Sequence, residues 1–332
     1  MRKGKKVQVA ARRIRFFMFS VLAIGSLQVI GAPAAVAAYP EKEITLIVPW
    51  AAGGGTDLVA RFIGNLVEKD LGKPVIVVNK PGGGGLVGFN QIAAAKPDGY
   101  TIGVNSTSQL LQKYSASSYA DWRNLSPIAL VNLDPAAFTV KSDAPWKTIE
   151  EALAFAKANP MKVRISNSGP GAIWHVSAAL LGSKTGIQFT HVPYGGGNPA
   201  AVAAAGGHVE ATTVSPAEVG TLVRGGKLRI LAIASTNRDA LFPDVPTFKE
   251  KGIDFTMGVW RCIVAPKDTP KDVIARLEKS VNKAVHDPSF KEFMEKSGLG
   301  QAYMGSAETA AFWAQDEKGM ENVIPGLGLK KN

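Results

Sequence analysis

The chain has 332 residues, with 38 Lys and Arg against 27 Asp and Glu and a formal net charge of +11. Nearly half of it is apolar, which fits a globular chain long enough for two domains. Its one cysteine, Cys262, excludes an internal disulfide and a cysteine-based metal site. The positive excess is concentrated at the start. Residues 1–38 hold seven Lys and Arg and no acid; without them the balance is 31 to 27, or +4. No basic stripe with interleaved aromatics occurs, so nucleic acid is a poor partner.

The first 38 residues read as a secretory signal peptide. A basic start is followed by an apolar run from Phe16 to Ile30 and by the small residues Ala35-Val36-Ala37-Ala38. That run is short for a membrane span. Arg12-Arg13 invites a twin-arginine reading, but Ile14-Arg15-Phe16 fits that motif poorly, which favours the general secretory route. The protein is therefore expected to be exported and this segment cleaved.

Next, Ile44 to Val48 reads as a buried strand, Gly53 to Gly55 as a loop, and Leu58, Phe62 and Leu66, flanked by Val59, Ile63 and Val67, as one face of a helix. Thr56 or Asp57 would cap it. The pattern recurs three times. Pro74 to Asn79 leads into Pro81-Gly82-Gly83-Gly84-Gly85 and a helix through Ile92. Val163 to Ser166 leads into Asn167-Ser168-Gly169-Pro170-Gly171, and His191 to Tyr194 into Gly195-Gly196-Gly197-Asn198-Pro199. Each is compatible with a plain βα turn. Together, four glycine loops at the carboxyl ends of strands point to a ligand site of exposed N–H groups.

Between these units, Thr101 to Val104 is a strand ending in the polar run Asn105-Ser106-Thr107-Ser108, residues 114–127 read as loop, and Ala136 to Val140 is a strand. Thr148-Ile149-Glu150-Glu151 is a capping box. Lys227 to Ile233 and Val259 to Val264 are strands, the latter holding Cys262 as a buried thiol. A turn-rich connector, Phe242 to Thr247, precedes a short helix. Thr269 caps a helix reaching His286, and two more follow, near Ser289 to Lys296 and Ser306 to Asn322. Alternating strands and helices make this an α/β protein.

Two enzyme classes are compatible with parts of the chain. Gly83-Gly84-Gly85-Leu86-Val87-Gly88 fits the dinucleotide pattern, but the acid expected some twenty residues on is replaced by Asn105-Ser106. A secreted hydrolase would use Ser166 or Ser168 with His175 and Asp57, yet no nucleophile elbow is present. His175 could cap, pack or meet a ligand. Tyr194 could offer its hydroxyl to a carboxylate. Asp57 reads as a cap or water holder, since it would repel an anion.

From Tyr39 onward the chain resembles the periplasmic solute receptors of tripartite tricarboxylate transporters, the Bug-type binding proteins. The resemblance rests on Ile44 to Trp50 with Gly53-Gly54-Gly55-Thr56-Asp57, Asn79-Lys80-Pro81-Gly82, Pro97-Asp98-Gly99-Tyr100-Thr101, His191-Val192-Pro193-Tyr194, Gly225-Gly226-Lys227-Leu228-Arg229 and Pro243-Asp244-Val245-Pro246-Thr247, in that order. It implies a two-lobed type II periplasmic binding protein fold with a cleft between the lobes. By motif order, residues 39–140 plus 260–332 would form lobe one and 141–259 lobe two.

The resemblance also implies no enzyme activity, no cofactor and no metal. It implies a monomer that binds a di-, tri- or aromatic carboxylate and docks to membrane permease subunits. The expected ligand-binding residues are Trp50, Ala52, Gly53, Gly54, Gly55, Thr56, Gly84, Ser106, Ser168, Gly169, Gly171, His175, Tyr194, Gly195 and Thr213. This chain departs from the family pattern in three places. Trp50 replaces a common Phe, and Trp174 stands where a smaller or polar residue is expected; together they leave room for an aromatic ligand. After Gly206-Gly207-His208-Val209-Glu210 the expected aspartate is missing, which argues against an amino-acid ligand.

Overall fold

Strand β1 (Ile44–Val48) is an apolar run with four of its five residues buried, as a strand covered on both faces requires. In the computed structural model, which describes residues 39–329, β1 pairs in parallel with β2 (Val75–Asn79) and β3 (Thr101–Ser106). The signal segment read at 1–38 lies outside the described residues. Helix α1 (Gly55–Leu71) joins β1 to β2, and α2 (Leu86–Ala93) joins β2 to β3. In α1 the fully buried stripe is Val59, Ile63 and Val67, with Leu58, Phe62 and Leu66 partly buried at its edge. Phe62 stacks on Phe293 at 4.2 Å between ring centres.

The remaining strands are β4 (Leu125–Pro135), β5 (Ala137–Lys141), β6 (Arg164–Asn167), β7 (Thr190–Pro193), β8 (Ala211–Thr212), β9 (Leu228–Ile233), β10 (Gly258–Pro266) and β11 (Gln301–Gly305). They build two sheets, one per lobe: a six-stranded sheet in the order β11-β4-β10-β3-β1-β2 and a five-stranded sheet in the order β7-β6-β8-β5-β9. The helices are α3 (Thr107–Ser115), α4 (Ile149–Ala158), α5 (Ile173–Thr185), α6 (Gly197–Ala205), α7 (Pro216–Arg224), α8 (Lys271–Val285), α9 (Pro288–Ser297) and α10 (Ser306–Glu321).

Ala136 alone separates β4 in the first sheet from β5 in the second. The chain returns between Ile233 and Gly258. Three backbone bonds tie these crossings together: Ala136 N to Met257 O (2.8 Å), Ala234 N to Ala136 O (2.8 Å) and Met257 N to Ala234 O (3.1 Å). Residues 137–140 thus pair in the second sheet and 258–259 in the first.

Some local expectations differ from the structure. Part of the stretch 114–127 is not loop: α3 runs to Ser115 and β4 starts at Leu125. Pro127, which obscured β4, pairs with Val264 beside a register irregularity, where the ladder does not need its missing N–H. Thr269 is not the cap of α8; Pro270 holds that position, and the Thr269 hydroxyl donates to Pro266 O (2.8 Å). After Thr247 only a single 3-10 turn forms, at Lys249–Lys251. Cys262 is fully buried and accepts a hydrogen bond from Trp313 Nε1 (3.3 Å); burial pushes its thiol pKa up. No helix among the described residues is long and apolar enough to cross a membrane.

Candidate functional site

The glycine loops of both lobes face one another. Gly53 takes a left-handed φ of 81°, whereas Gly54 is extended at φ −82°, so only the first glycine of this loop needs its conformational freedom. Asp57 braces the loop from within α1. Its carboxylate accepts from Gly53 N (2.9 Å), Arg61 Nε (3.0 Å) and Asn79 Nδ2 (2.8 Å). Burial pushes this carboxyl up, but those hydrogen bonds outweigh it and hold the pKa below the usual range.

The facing loops meet through direct bonds between the lobes. Ala51 N donates to Gly195 O (3.0 Å), Ile173 N to Ser108 Oγ (3.0 Å), and Asn198 Nδ2 to Ala52 O (3.4 Å). Gly55 N, at the start of α1, donates to Glu218 Oε1 in α7 (3.2 Å). The lobes are closed on one another, and the void left between them is about 10 Å³, roughly the space of one water.

Of the expected residues, Trp50, Gly54, Thr56, Ser106 and Ser168 line this void. Gly84, Gly169, Tyr194 and Gly195 line a shallower depression of about 260 Å³ that Ser168 shares. Ala52, Gly53, Gly55, Gly171, His175 and Thr213 line neither. His175 Nδ1 accepts from Gly171 N (3.0 Å), which makes it a brace of its own loop, and the Thr213 hydroxyl donates to Trp174 O (2.7 Å). The Ser106 and Ser168 hydroxyls are 1 % and 3 % exposed as residues, and neither has a hydrogen-bond partner. Of the eleven buried side-chain polar atoms without a partner among the described residues, these two are the ones whose residues line the void.

Seven more residues line the void: Trp174, which the sequence offers as cover for an aromatic ligand, and Ser108, Ile173, Gly197, Val259, Arg261 and Glu218, which lie outside the expected contacts. Arg261 sits in β10, 1 % exposed. Its guanidinium donates to Thr56 Oγ1 (2.8 Å) and makes close contacts with Asn132 and Asp134. Asp134 also accepts from Asn132 Nδ2 (2.9 Å) and Gly300 N (2.7 Å). Glu218 keeps partial exposure as a residue, but its carboxyl end abuts Gly54 and Gly197; a Cβ on Gly197 would lie 2.1 Å from Oε1. Burial pushes the Glu218 pKa up, and Arg261 and the Gly55 N–H pull it partly back. Both residues left a trace in the sequence: a lone cation inside an apolar strand, and the capping-box spacing Ser215 to Glu218.

For the Ser–His–Asp reading, the Ser166 hydroxyl donates to Ala200 O (2.8 Å), the Ser168 hydroxyl makes no hydrogen bond to His175, His175 Nδ1 accepts from Gly171 N, and Asp57 is held by its own loop. No cluster of three or more His, Cys, Asp or Glu among the described residues is placed to hold a metal.

Behind the site, His175 and His191 meet edge to face at 4.7 Å. Burial, and then the His175 charge, push the His191 pKa down to about 4. A folded pKa below the unfolded value means stability that is present above about pH 6.5 and lost as pH falls toward 4. His191→Gln is expected to recover about 1–2 kcal/mol at pH 5 relative to wild type, discounted for partial exposure, and to change little at pH 7.5. Urea melts at the two pH values read this; equal pH dependence in both proteins would refute it.

Residues 59–329 match the family model described as tripartite tricarboxylate transporter family receptor. A Cupriavidus necator protein named "UPF0065 protein in gbd 5′ region" is 35% identical over 299 residues, covering 88% of this chain and 90% of its own. The solved periplasmic binding protein BugD superposes with a TM-score of 0.85 at 31% identity, covering 89% of this chain and all of its own. MatC from Rhodopseudomonas palustris, with bound malate, superposes with a TM-score of 0.82 at 27% identity, covering 86% of this chain and all of its own. By this match along most of its length, in sequence and in two-lobed architecture, the chain belongs to the tripartite tricarboxylate transporter receptor family.

Proposed function

We propose that this receptor is exported to the periplasm, captures a small carboxylate between its lobes as a monomer, and delivers it without chemical change to the membrane permease subunits of a tripartite transporter. The observation that carries this reading is the pair of buried, unpartnered hydroxyls of Ser106 and Ser168, one from each lobe, on one void. Malate in the related MatC supports a carboxylate. Closure excludes water and so strengthens hydrogen bonds to the anion. We draw the lobe boundaries at Ala136 and Met257, where the chain changes sheets.

The expected donors are the two hydroxyls, Thr56 and the backbone of Gly54, Gly84, Gly169 and Gly195. Trp50 and Trp174 flank the same void as Ile173 and would cover an apolar or aromatic ligand body once the lobes part to admit it. A thermal-shift screen of mono-, di- and aromatic carboxylates tests the reading, because a specific ligand raises the apparent melting temperature. A shift of several degrees with one acid class is expected; no shift with any would overturn it. Mass spectrometry of the envelope fraction should find a mature start at Ala38 or Tyr39. A full-length cytoplasmic product would refute export.

A further inference from the structure

Resting on the receptor reading, we propose that Glu218 makes the site selective for acids with one carboxylate and, at the other end, a hydrogen-bond donor such as a hydroxyl or an ammonium, and unfavourable to plain dicarboxylates. The carboxylate of Glu218 spans the interlobe boundary. Oε1 accepts from Gly55 N (3.2 Å) in the first lobe, and Oε2 accepts from Ser215 N and Ser215 Oγ (3.4 Å each). Three donors leave about one of a carboxylate's roughly four acceptor positions unused, and the group lines the void. The Ser106 and Ser168 hydroxyls on that void are free to donate to an anion. The site thus holds one unused acceptor position on Glu218 and two hydroxyl donors without a partner.

The fixed charges point the same way. Arg261 is the cation lining the void, and its guanidinium is committed to Asp134, Asn132 and Thr56. With Asp134 taking up much of the Arg261 charge, Arg261 offsets the Glu218 carboxylate only in part. A second ligand carboxylate placed against it would meet like charge in a water-poor space, where repulsion is strongest. A hydroxyl or ammonium placed there takes the unused acceptor position instead. The sequence run after Val209 lacks the aspartate that would serve a ligand ammonium, but Glu218 brings an acid to the site from the start of α7.

The test is calorimetric titration at pH 7.5 with length-matched acids: succinate, 4-hydroxybutyrate and 4-aminobutyrate, and adipate, 6-hydroxyhexanoate and 6-aminohexanoate. Wild type should bind a donor-bearing acid at least tenfold more tightly than the dicarboxylate of the same length. Glu218→Gln, which keeps a cap for α7, should weaken the amino acid at least tenfold, strengthen the dicarboxylate and reverse the order. The wild-type ranking stands by itself should the variant fold poorly. Preference for the dicarboxylate in wild type, or a ranking unmoved in a folded Glu218→Gln, would overturn the role of Glu218 and leave the receptor reading intact. No binding of any of these acids, together with no response in the wider carboxylate screen, would overturn both.

Discussion

Arg261→Ala is expected to lower folding stability by about 3–5 kcal/mol, the usual cost of removing one partner from a buried ion pair. Both Arg261 and Asp134 are almost fully buried, at 1 % and 3 % exposure. The substitution strands the Asp134 carboxylate and leaves Asn132 and Thr56 without their donor. It also empties a guanidinium-sized space beneath the start of α1, where a Cβ on Gly55 would lie 2.7 Å from the Arg261 nitrogen. A melting temperature lower by on the order of 10 °C follows for a chain of this size. Asp134→Leu combined with Arg261→Met should recover much of the loss, since an apolar pair removes both charges together. Recovery should stay incomplete, because Gly300 N also donates to Asp134. A melting temperature within about 2 °C of wild type for Arg261→Ala would contradict this, that being less than 1 kcal/mol.

Gly84→Ala is expected to weaken ligand binding by roughly 10- to 100-fold while both lobes stay folded. Gly84 has φ +65°, and a Cβ there would lie 2.2 Å from Pro170 O in the facing lobe. Carbonyl backbone cannot rotate away as a side chain would, so the closed form must open slightly to admit the methyl. Overpacking of this kind costs about 1–3 kcal/mol, and closure-dependent affinity falls by that amount. The left-handed φ adds about 1 kcal/mol of backbone strain in either form. Gly72→Ala isolates that term, since Gly72 has φ +67° and nothing within 4 Å of its Cβ position. It should reduce stability by about 1 kcal/mol and leave affinity unchanged. Equal affinity losses in the two variants would show that strain, not interlobe contact, was the cause.

The parts of the fold readable in the sequence are those fixed by short-range pattern. The unbroken apolar run of β1, the capping box of α4 and the glycine loops between strands and helices each show over a few residues. Strand β4 did not, because Pro127 reads as a breaker and only the irregular register with β10 makes it harmless. The site was legible as a set of loops, not as a set of atoms. His175 and Thr213 stand in or beside the right segments, yet their side chains are spent on Gly171 N and Trp174 O. Glu218 and Arg261 escaped because their partners are distant in the chain: Glu218 meets Gly55 across 163 positions and Arg261 meets Asp134 across 127. The spacing Ser215 to Glu218 announces a helix start, and nothing local says that the same carboxylate reaches the other lobe.

A receptor of this kind must hold its carboxylate between the loops of the two lobes. Calorimetric titration of wild type, Gly54→Val and Asp244→Ala with the acid giving the largest thermal shift tests this most directly. Gly54 has an extended backbone that valine adopts without strain, so its fold should survive. A Cβ there points across the cleft, 3.3 Å from Glu218 Oε1 and 3.7 Å from Asn198 N, and the valine methyls would fill the ligand's approach to the backbone donors. Losing two hydrogen bonds to a charged group, at about 1.5–3 kcal/mol each, weakens binding by roughly two orders of magnitude or more. Asp244 is exposed in the connector before Thr247 and serves as the control. The predicted result is tight binding by wild type and Asp244→Ala, with at least a hundredfold loss in a folded Gly54→Val; unchanged affinity in Gly54→Val would contradict the interlobe site.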